Sequence, residues 1–167
     1  TGYGDILTKD SIEAIAFYTD IDKDNTFFSC GSSIVNKIHK NLIMCERANL
    51  HSILSDCPQR NERMAWMNDA TVRFEETPYN FDIGRIFPKV VRDIMASQKD
   101  EDRMTCTAPY IVGARPADPV CSSFLVAGVS ALIHTGNTEI IAEAYNNFKK
   151  WEDYLLSRSE DYIVNYS

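Results

Sequence analysis

Residues 131–151 read ALIHTGNTEIIAEAYNNFKKW, and this stretch decides the fold. A mostly apolar run over residues 120–134 predicts a helix that ends just before Gly136. Glycine suits the position past a helix end because it adopts the left-handed conformation easily, and Asn137 or Thr138 can cap the next helix. Two helices joined by so short a turn must lie antiparallel, so the sequence predicts an αα-hairpin.

Three more helices are predicted upstream of this hairpin from apolar residues spaced three and four apart. The first begins after Ser32 or Ser33, either of which can act as N-cap. The second runs from about residue 61 to residue 76 and stops before Pro78, since proline disfavours helical geometry in the residue before it. The third carries Pro88, which falls in the first turn or kinks the helix. The apolar stripes of the first, third and last helices are, in turn, Ile34, Ile38, Leu42 and Cys45; Ile83, Ile86, Phe87, Val90, Val91 and Ile94; and Ile141, Ala144, Phe148, Trp151 and Leu155.

The remaining segments are predicted to be non-helical. Residues 11–20 are apolar on both sides and rich in β-branched and aromatic residues, which is typical of a buried strand. Residues 20–24 place aspartates two apart, as a calcium loop does, but Asn25 and Gly31 stand where that loop needs Gly and Glu. We interpret them as a polar turn. Residues 105–119 contain three prolines and a glycine and predict an irregular loop.

The composition excludes several classes of function. The 167 residues suffice for one domain with a sizeable apolar core. With 24 acidic against 17 basic residues and a formal net charge of −7, the chain lacks the basic surface of a nucleic-acid-binding protein. No apolar run is long enough to cross a membrane, and the N-terminus has no signal-peptide pattern. We expect neither nucleic acid nor a membrane as partner.

The cysteines and histidines predict no metal site and no cofactor. The five cysteines have no C-x-x-C or zinc-ligand spacing, which favours free, mostly buried thiols and leans towards a reducing compartment. The three histidines are dispersed and share no helical spacing. Cys57 has no histidine partner near it in sequence, so we interpret it as a packed thiol rather than a nucleophile.

Residues 56–70, DCPQRNERMAWMNDA, form the segment that carries chemistry. If a helix starts near residue 61, then Glu62, Trp66 and Asp69 share one face, and Asp56 approaches from the preceding loop. Carboxyl groups beside an aromatic side chain suit glycoside hydrolysis. In that reaction one acid protonates the departing oxygen while other carboxylates bind sugar hydroxyls. The opposing interpretation is an exposed helix start with paired charges and a tryptophan in the core.

The protonation state of Glu62 depends on neighbouring groups that act in opposite directions. Arg60, Arg63 and a helix N-terminus would favour an ionised Glu62, whereas burial against Trp66 and nearby carboxylates would favour the protonated form. A general acid must be protonated when it acts. The acid role therefore requires burial and the nearby carboxylates to prevail, which happens if the arginines are committed to other carboxylates.

This segment resembles the signature D-C-P-Q-R-D-E-R-x-G-W-x-G-D-A of the α-L-rhamnosidases of glycoside hydrolase family 78. The departures are Asn61, Ala65 and Asn68, and none removes a carboxylate expected to touch the sugar. The resemblance extends over residues 28–167 and implies a mainly α fold that is part of an (α/α)6 six-hairpin barrel. It also implies the following roles: Glu62 as general acid; Asp56, Arg60 and Asp69 as binders of rhamnose hydroxyls; Trp66 packed on the sugar; and Asp118 as a further sugar-binding residue.

The resemblance also predicts the domain organisation. Residues 1–30 resemble the end of the β-sandwich domain that precedes the barrel, and residues 31–167 resemble the first part of the catalytic domain. The family's general base is a glutamate far downstream, and none of Glu139, Glu143, Glu152 and Glu160 matches its motif. We therefore expect an inverting enzyme of which this chain is a piece, with a rhamnoside as substrate and the rest of the parent enzyme as partner.

Three alternatives stay open at this point. The first is a carbohydrate-binding helical module that performs no chemistry. The second is another (α/α)6 glycosidase or a lyase that prefers a different sugar. The third is a helical interaction domain, which predicts that Asp56, Glu62 and Asp69 do not converge in space.

Overall fold

The computed structural model describes residues 8–21, 27–98, 103–113, 117 and 123–164. These residues form a mainly helical structure, as predicted. The helices are α1 (Ser33–Ala48), α2 (Met67–Thr71), α3 (Thr77–Asn80), α4 (Ile86–Ser97), α5 (Ser123–Thr135) and α6 (Thr138–Ser157). A short antiparallel pair follows, β1 (Ser159–Glu160) and β2 (Ile163–Val164), which the sequence analysis did not predict. Among the described residues, no helix is both long and apolar enough to cross a membrane.

The predicted hairpin of α5 and α6 is confirmed. Gly136 has a φ of +69°, and the side chain of Asn137 accepts a hydrogen bond from the Ile140 amide at 3.1 Å. Gly128 allows the two helices to approach closely, because a Cβ at that position would lie 2.8 Å from the ring of Phe148. The short turn and Gly128 therefore determine how α5 and α6 pack.

The hydrophobic core lies where α4, α5 and α6 pack together, with α2 against α5. The predicted stripe of α4 is buried, and Pro88 lies in the first turn of the helix, where its missing N–H costs nothing. The Ser123 hydroxyl at the start of α5 donates to the Met67 carbonyl and so ties α5 to α2. The largest fully buried aromatic side chains are Phe74, Phe81, Phe87, Phe124 and Trp151.

The prediction of one helix over residues 61–76 is wrong. Residues 61–66 form a loop and an isolated bridge, and only α2 and then α3 are helical. Arg63 has a φ of +59°, which a right-handed helix cannot contain. Pro78 does not stop a helix either; it lies in the first turn of α3, where proline is tolerated.

The predicted strand over residues 11–20 is also wrong, because the described part of this segment contains only a 3-10 turn, Lys9–Ser11. A strand needs a ladder of backbone hydrogen bonds to a neighbour. In the described ranges, residues 12–20 show a single hydrogen bond of this kind, from the Thr19 amide to the Leu50 carbonyl at 2.7 Å, and no ladder. Ile12, Ile15 and Phe17 are instead exposed. The predicted polar turn at residues 20–24 falls largely outside the described residues.

Helix α1 was predicted correctly, with Ser32 as its N-cap, but most of its apolar stripe faces outward. Ile34 is 71% exposed and Ile38 is 60% exposed, and the buried side chain of the helix is Glu46. The four described cysteines are free as predicted. They are not mostly buried, because Cys30 and Cys45 lie on or beside this uncovered helix and are exposed, and two others are half-buried.

Candidate active site

The site loop, residues 55–66, is the second part of the connection between α1 and α2 and leads directly into α2. The Asp56 amide donates a hydrogen bond to the Met64 carbonyl at 3.2 Å, which closes the loop on itself. Arg63 takes up the left-handed conformation between Glu62 and Met64. Such backbone strain in a non-glycine residue collects at functional sites and persists only where the surroundings hold it.

Closure of the loop brings two carboxyl groups and a thiol together. One oxygen each from Asp56 and Glu62 and the sulfur of Cys57 lie within 4.8 Å of one another. The predicted convergence of Asp56 and Glu62 is therefore present. Asp56 lies in the loop as predicted, but Glu62 lies in the same loop and not on a helix.

Trp66 holds the side chain of Glu62. The indole Nε1 donates to Glu62 Oε1 at 2.6 Å. The tryptophan is in turn fixed by residues 106–113: its backbone forms a bridge with Thr107, and Gly113, at φ +112°, leaves room for its ring. A Cβ on Gly113 would lie 3.0 Å from the indole. The loop over residues 105–119 is irregular where it is described, as predicted, and it supports this wall of the site.

Two carboxylate oxygens of the site have no hydrogen-bond partner within the described part of the chain. They are Asp56 Oδ1 and Glu62 Oε2, and both atoms are buried. The Arg60 Nε lies 3.7 Å from Glu62 Oε2, which makes an ion pair but not a hydrogen bond. A buried acceptor without a donor is costly, so these oxygens indicate a site built to receive hydroxyl or water donors.

The thiol of Cys57 stays protonated beside these acids. A hydrogen bond to Asp56 is the largest cause, with burial and the Asp56 charge adding to it, and together they raise the pKa of Cys57 to about 11. Asp56, Cys57 and Glu62 are close enough to share a metal ion. Metal binding needs a thiolate, however, and this environment opposes its formation. Without a metal, the group therefore holds two carboxyl groups beside a neutral thiol.

The other predicted site residues lie less close to Asp56 and Glu62 or fall outside the described residues. Arg60 is 65% exposed and forms an ion pair with Glu62 itself, so this arginine is not committed to another carboxylate as the acid role would favour. Asp69 lies exposed on α2 and, among the residues that the structure describes, makes no hydrogen bond or ion pair with Asp56 or Glu62. The wrong helical register explains this, since Glu62 lies outside the helix that carries Asp69. Asp118 falls outside the described residues.

A buried polar cluster behind the loop was missed by the sequence analysis. Glu46 on α1 forms an ion pair with Arg73 at 3.5 Å, and Arg73 also donates to the Ser55 carbonyl at 3.3 Å. Burial is the main reason that the pKa of Glu46 is raised; Arg73 opposes the rise and Glu76 adds to it. Glu46 follows Leu42 by four residues and lies on the same helix face. An acid that continues an apolar stripe was the sequence feature that could have revealed this cluster. Nothing in the sequence pointed to Arg73.

The α5–α6 hairpin, and a loop that brings two carboxyl groups together beside a tryptophan, are consistent with a helical-hairpin glycosidase domain. The chain belongs to the bacterial alpha-L-rhamnosidase 6 hairpin glycosidase domain family, whose model matches residues 23–167. The predicted fold class, part of a six-hairpin barrel, is thereby confirmed.

Individual relatives agree with this family. An alpha-L-rhamnosidase from Formosa agariphila is 25% identical over 160 residues, which are 93% of this chain and 17% of the relative. The solved structure of alpha-L-rhamnosidase from Dictyoglumus thermophilum is 34% identical, with a TM-score of 0.94 over 99% of this chain and 19% of that one. The Streptomyces avermitilis alpha-L-rhamnosidase complexed with L-rhamnose is 22% identical, with a TM-score of 0.75 over 79% of this chain and 13% of that one, and shows likeness of fold. The chain thus spans between 13% and 19% of the length of these relatives.

Proposed function

We propose that this chain supplies the acid side of the active site of an α-L-rhamnosidase, which hydrolyses terminal α-L-rhamnosyl groups with inversion. The observation that carries the proposal is the approach of Asp56 and Glu62 carboxyl oxygens to within 4.8 Å in a chain of this family. Glu62 is the general acid. Asp56, Arg60 and Asp69 bind sugar hydroxyls, Trp66 packs on the sugar, and Asp118 is a further sugar-binding residue.

The hydrogen bond from Trp66 supports the acid role of Glu62. An indole N–H can only donate, so Glu62 Oε1 is occupied as an acceptor. When the carboxyl group is protonated, the proton therefore belongs on Oε2, the oxygen that lacks a hydrogen bond. That oxygen is then the one that can donate to the departing glycosidic oxygen.

The general base lies in a part of the parent enzyme beyond this chain. An inverting enzyme needs a second carboxylate that activates water on the opposite face of the sugar. Glu139, Glu143, Glu152 and Glu160 are all exposed on α6 or β1, far along the chain from the site loop. We further propose that residues 31–167 are the first part of the catalytic domain and residues 1–30 the end of a preceding β-sandwich domain.

Hydrolysis of a panel of aryl glycosides by the full-length enzyme tests this function. We expect turnover of the α-L-rhamnoside above all other sugars, with the β-anomer of rhamnose as the first product detected by NMR. A clear preference for another sugar would instead indicate a different (α/α)6 glycosidase. Release of the α-anomer first would overturn inversion.

A second candidate is the carbohydrate-binding module that the sequence left open as an alternative. The buried acceptor oxygens of Asp56 and Glu62 could hold sugar hydroxyls without any chemistry. Calorimetric titration with L-rhamnose separates the two. Binding by the chain, with no hydrolysis by the full-length enzyme, would support a module and contradict the enzyme.

A further inference from the structure

The ion pair of Glu46 and Arg73 lies behind the site loop and takes no part in the proposed chemistry. The two side chains are 5% and 17% exposed. Burying two charges costs desolvation free energy that their attraction often fails to recover, so a buried ion pair is weak evidence for stability. Its position suggests a different role.

Arg73 makes two contacts in different directions. Its Nη1 pairs with Glu46 Oε1, and its Nη2 donates to the carbonyl of Ser55, the residue directly before Asp56. A guanidinium group has a rigid fork of donors and can hold two acceptors in a fixed relation. Arg73 therefore connects the end of α1 to the first residue of the site loop.

The backbone of Ser55 is held from its other side as well. Its amide donates to the Asn49 carbonyl at 2.9 Å, and its hydroxyl donates to the same oxygen at 3.2 Å. With Arg73 on its carbonyl, both polar groups of the Ser55 backbone are committed. The start of the site loop is thus clamped between α1 and the turn that follows α2.

This clamp is continuous with the carboxyl pair. The peptide group whose oxygen accepts from Arg73 also contains the Asp56 amide, which donates to Met64 in the arm of the loop that carries Glu62. A shift of the peptide would move the Asp56 carboxylate relative to Glu62 and weaken the closure of the loop. Arg73 therefore acts on one peptide group that both arms share.

We propose that Arg73, oriented by buried Glu46, is a positioning residue for the reaction: it holds the Ser55–Asp56 peptide so that Asp56 meets the sugar beside Glu62. This inference rests on the proposed function for its effect on catalysis. The claim that Arg73 holds the Ser55–Asp56 peptide in place can be tested without measuring activity. Neither residue touches the substrate.

A double-mutant cycle in the full-length enzyme tests the effect on catalysis. Arg73→Met should lower kcat/KM for an aryl α-L-rhamnoside about 10- to 100-fold, because small misplacements of substrate-holding groups are costly. In the Asp56→Asn background the same substitution should change kcat/KM by no more than about twofold, since its effect passes through Asp56. Full effects in both backgrounds would overturn the proposal. Glu46→Gln, which keeps shape and hydrogen bonding, gives a second cycle if Arg73→Met fails to fold.

Hydrogen exchange at the Asp56 amide supplies a readout that separates this inference from the proposed function. Arg73→Met should speed that exchange, because the peptide loses its anchor. The matched control is Arg92→Met, which breaks the exposed ion pair with Glu143 between α4 and α6 and should leave both the exchange and kcat/KM unchanged. Unaltered exchange in Arg73→Met overturns the proposal whatever the activity. Faster exchange in an enzyme that does not hydrolyse rhamnosides would leave the clamp intact and reject the function alone.

Discussion

The helical core and the site loop are held by different kinds of interaction. Helices α4, α5 and α6 pack through buried apolar side chains, such as Phe87, Phe124 and Trp151. The site loop is held by polar contacts that come from elements distant in sequence, as when Arg73 reaches Ser55. The first kind of interaction follows from local periodicity. The second depends on where the completed fold places each partner.

Because the two regions are held differently, the residues that stabilise the fold differ from the residues that position the reacting groups. Apolar burial is non-directional and tolerates many sequences, so it specifies helices without specifying a site. Hydrogen bonds and ion pairs fix distances and angles, and here they fix Glu62 through Trp66 and Asp56 through its backbone. Substitutions in the core should therefore change unfolding most, and substitutions around the loop should change catalysis most.

The largest expected effect on stability is that of Trp151→Ala. Trp151 is 1% exposed on α6, and its removal should lower the free energy of unfolding by about 3–5 kcal/mol, as other buried aromatic deletions do. Ile38→Ala, on the exposed face of α1, should cost no more than about 0.5 kcal/mol. Denaturant unfolding of the 167-residue chain measures both. Equal losses would contradict the assignment of most of the stability to the buried core.

The next effect is on catalysis and comes from Trp66→Phe. The substitution keeps a ring against Gly113 but removes the donor to Glu62. It should lower kcat/KM about tenfold or more, because Glu62 becomes a carboxylate as it gives up its proton, and a hydrogen bond to a charged group is worth about 1.5–3 kcal/mol. Trp151→Phe is the matched control, and it should alter unfolding without altering kcat/KM. An unchanged kcat/KM in Trp66→Phe would show that the indole N–H does not orient the acid.

A smaller effect concerns the reactivity of Cys57. Because Asp56 is the main cause of its pKa of about 11, the thiol should resist alkylation at mildly alkaline pH and react faster as the pH approaches that value. Asp56→Asn removes the negative charge, lowers the pKa and should speed alkylation several-fold. Peptide mapping after iodoacetamide treatment measures this, with exposed Cys30 as the internal control. An equal rate in wild type and Asp56→Asn would argue against the contact between the two groups.

The smallest effect is expected at the surface pair of Arg92 and Glu143. Arg92 lowers the pKa of Glu143, so the stability contributed by the pair is present at neutral pH and lost as the pH falls through that lowered value. Arg92→Met should therefore reduce the melting temperature slightly at neutral pH and not at strongly acidic pH. Both side chains are about half exposed, which keeps the change small. A loss that persists unchanged in acid would show that packing, and not charge, is responsible.

The sequence predicted most of the helical core because its signals are local. Gly136, Asn137 and the apolar stripe of α4 each act within a few residues, and all have the predicted roles. The helix over residues 61–76 failed because periodicity carries no information about a left-handed residue such as Arg63. The strand at residues 11–20 failed because its pattern describes a buried environment that the described chain does not supply.

The site could be predicted in its residues but not in its geometry. The motif brought Asp56 and Glu62 together, and the structure agrees on their closeness. The contact from Trp66 to Glu62 has the predicted spacing but comes from a loop, and Asp69 does not join it. Arg73 and Gly113 support the site from elsewhere in the chain, so no local pattern could reveal them, and Glu46 gave only the weak signal of an acid on an apolar stripe.

The most direct test of the acid role is the dependence of Glu62→Gln on the leaving group. Protonation matters little when the departing group is already a stable anion, as with dinitrophenyl, and matters greatly for an alkyl group such as methyl. In the full-length enzyme, Glu62→Gln should lower kcat/KM about 10²- to 10⁴-fold on methyl α-L-rhamnoside and far less on the dinitrophenyl substrate. Exposed Glu139→Gln should match wild type on both. The same loss on both substrates, or wild-type turnover of methyl α-L-rhamnoside, would contradict the assignment of Glu62 as the general acid.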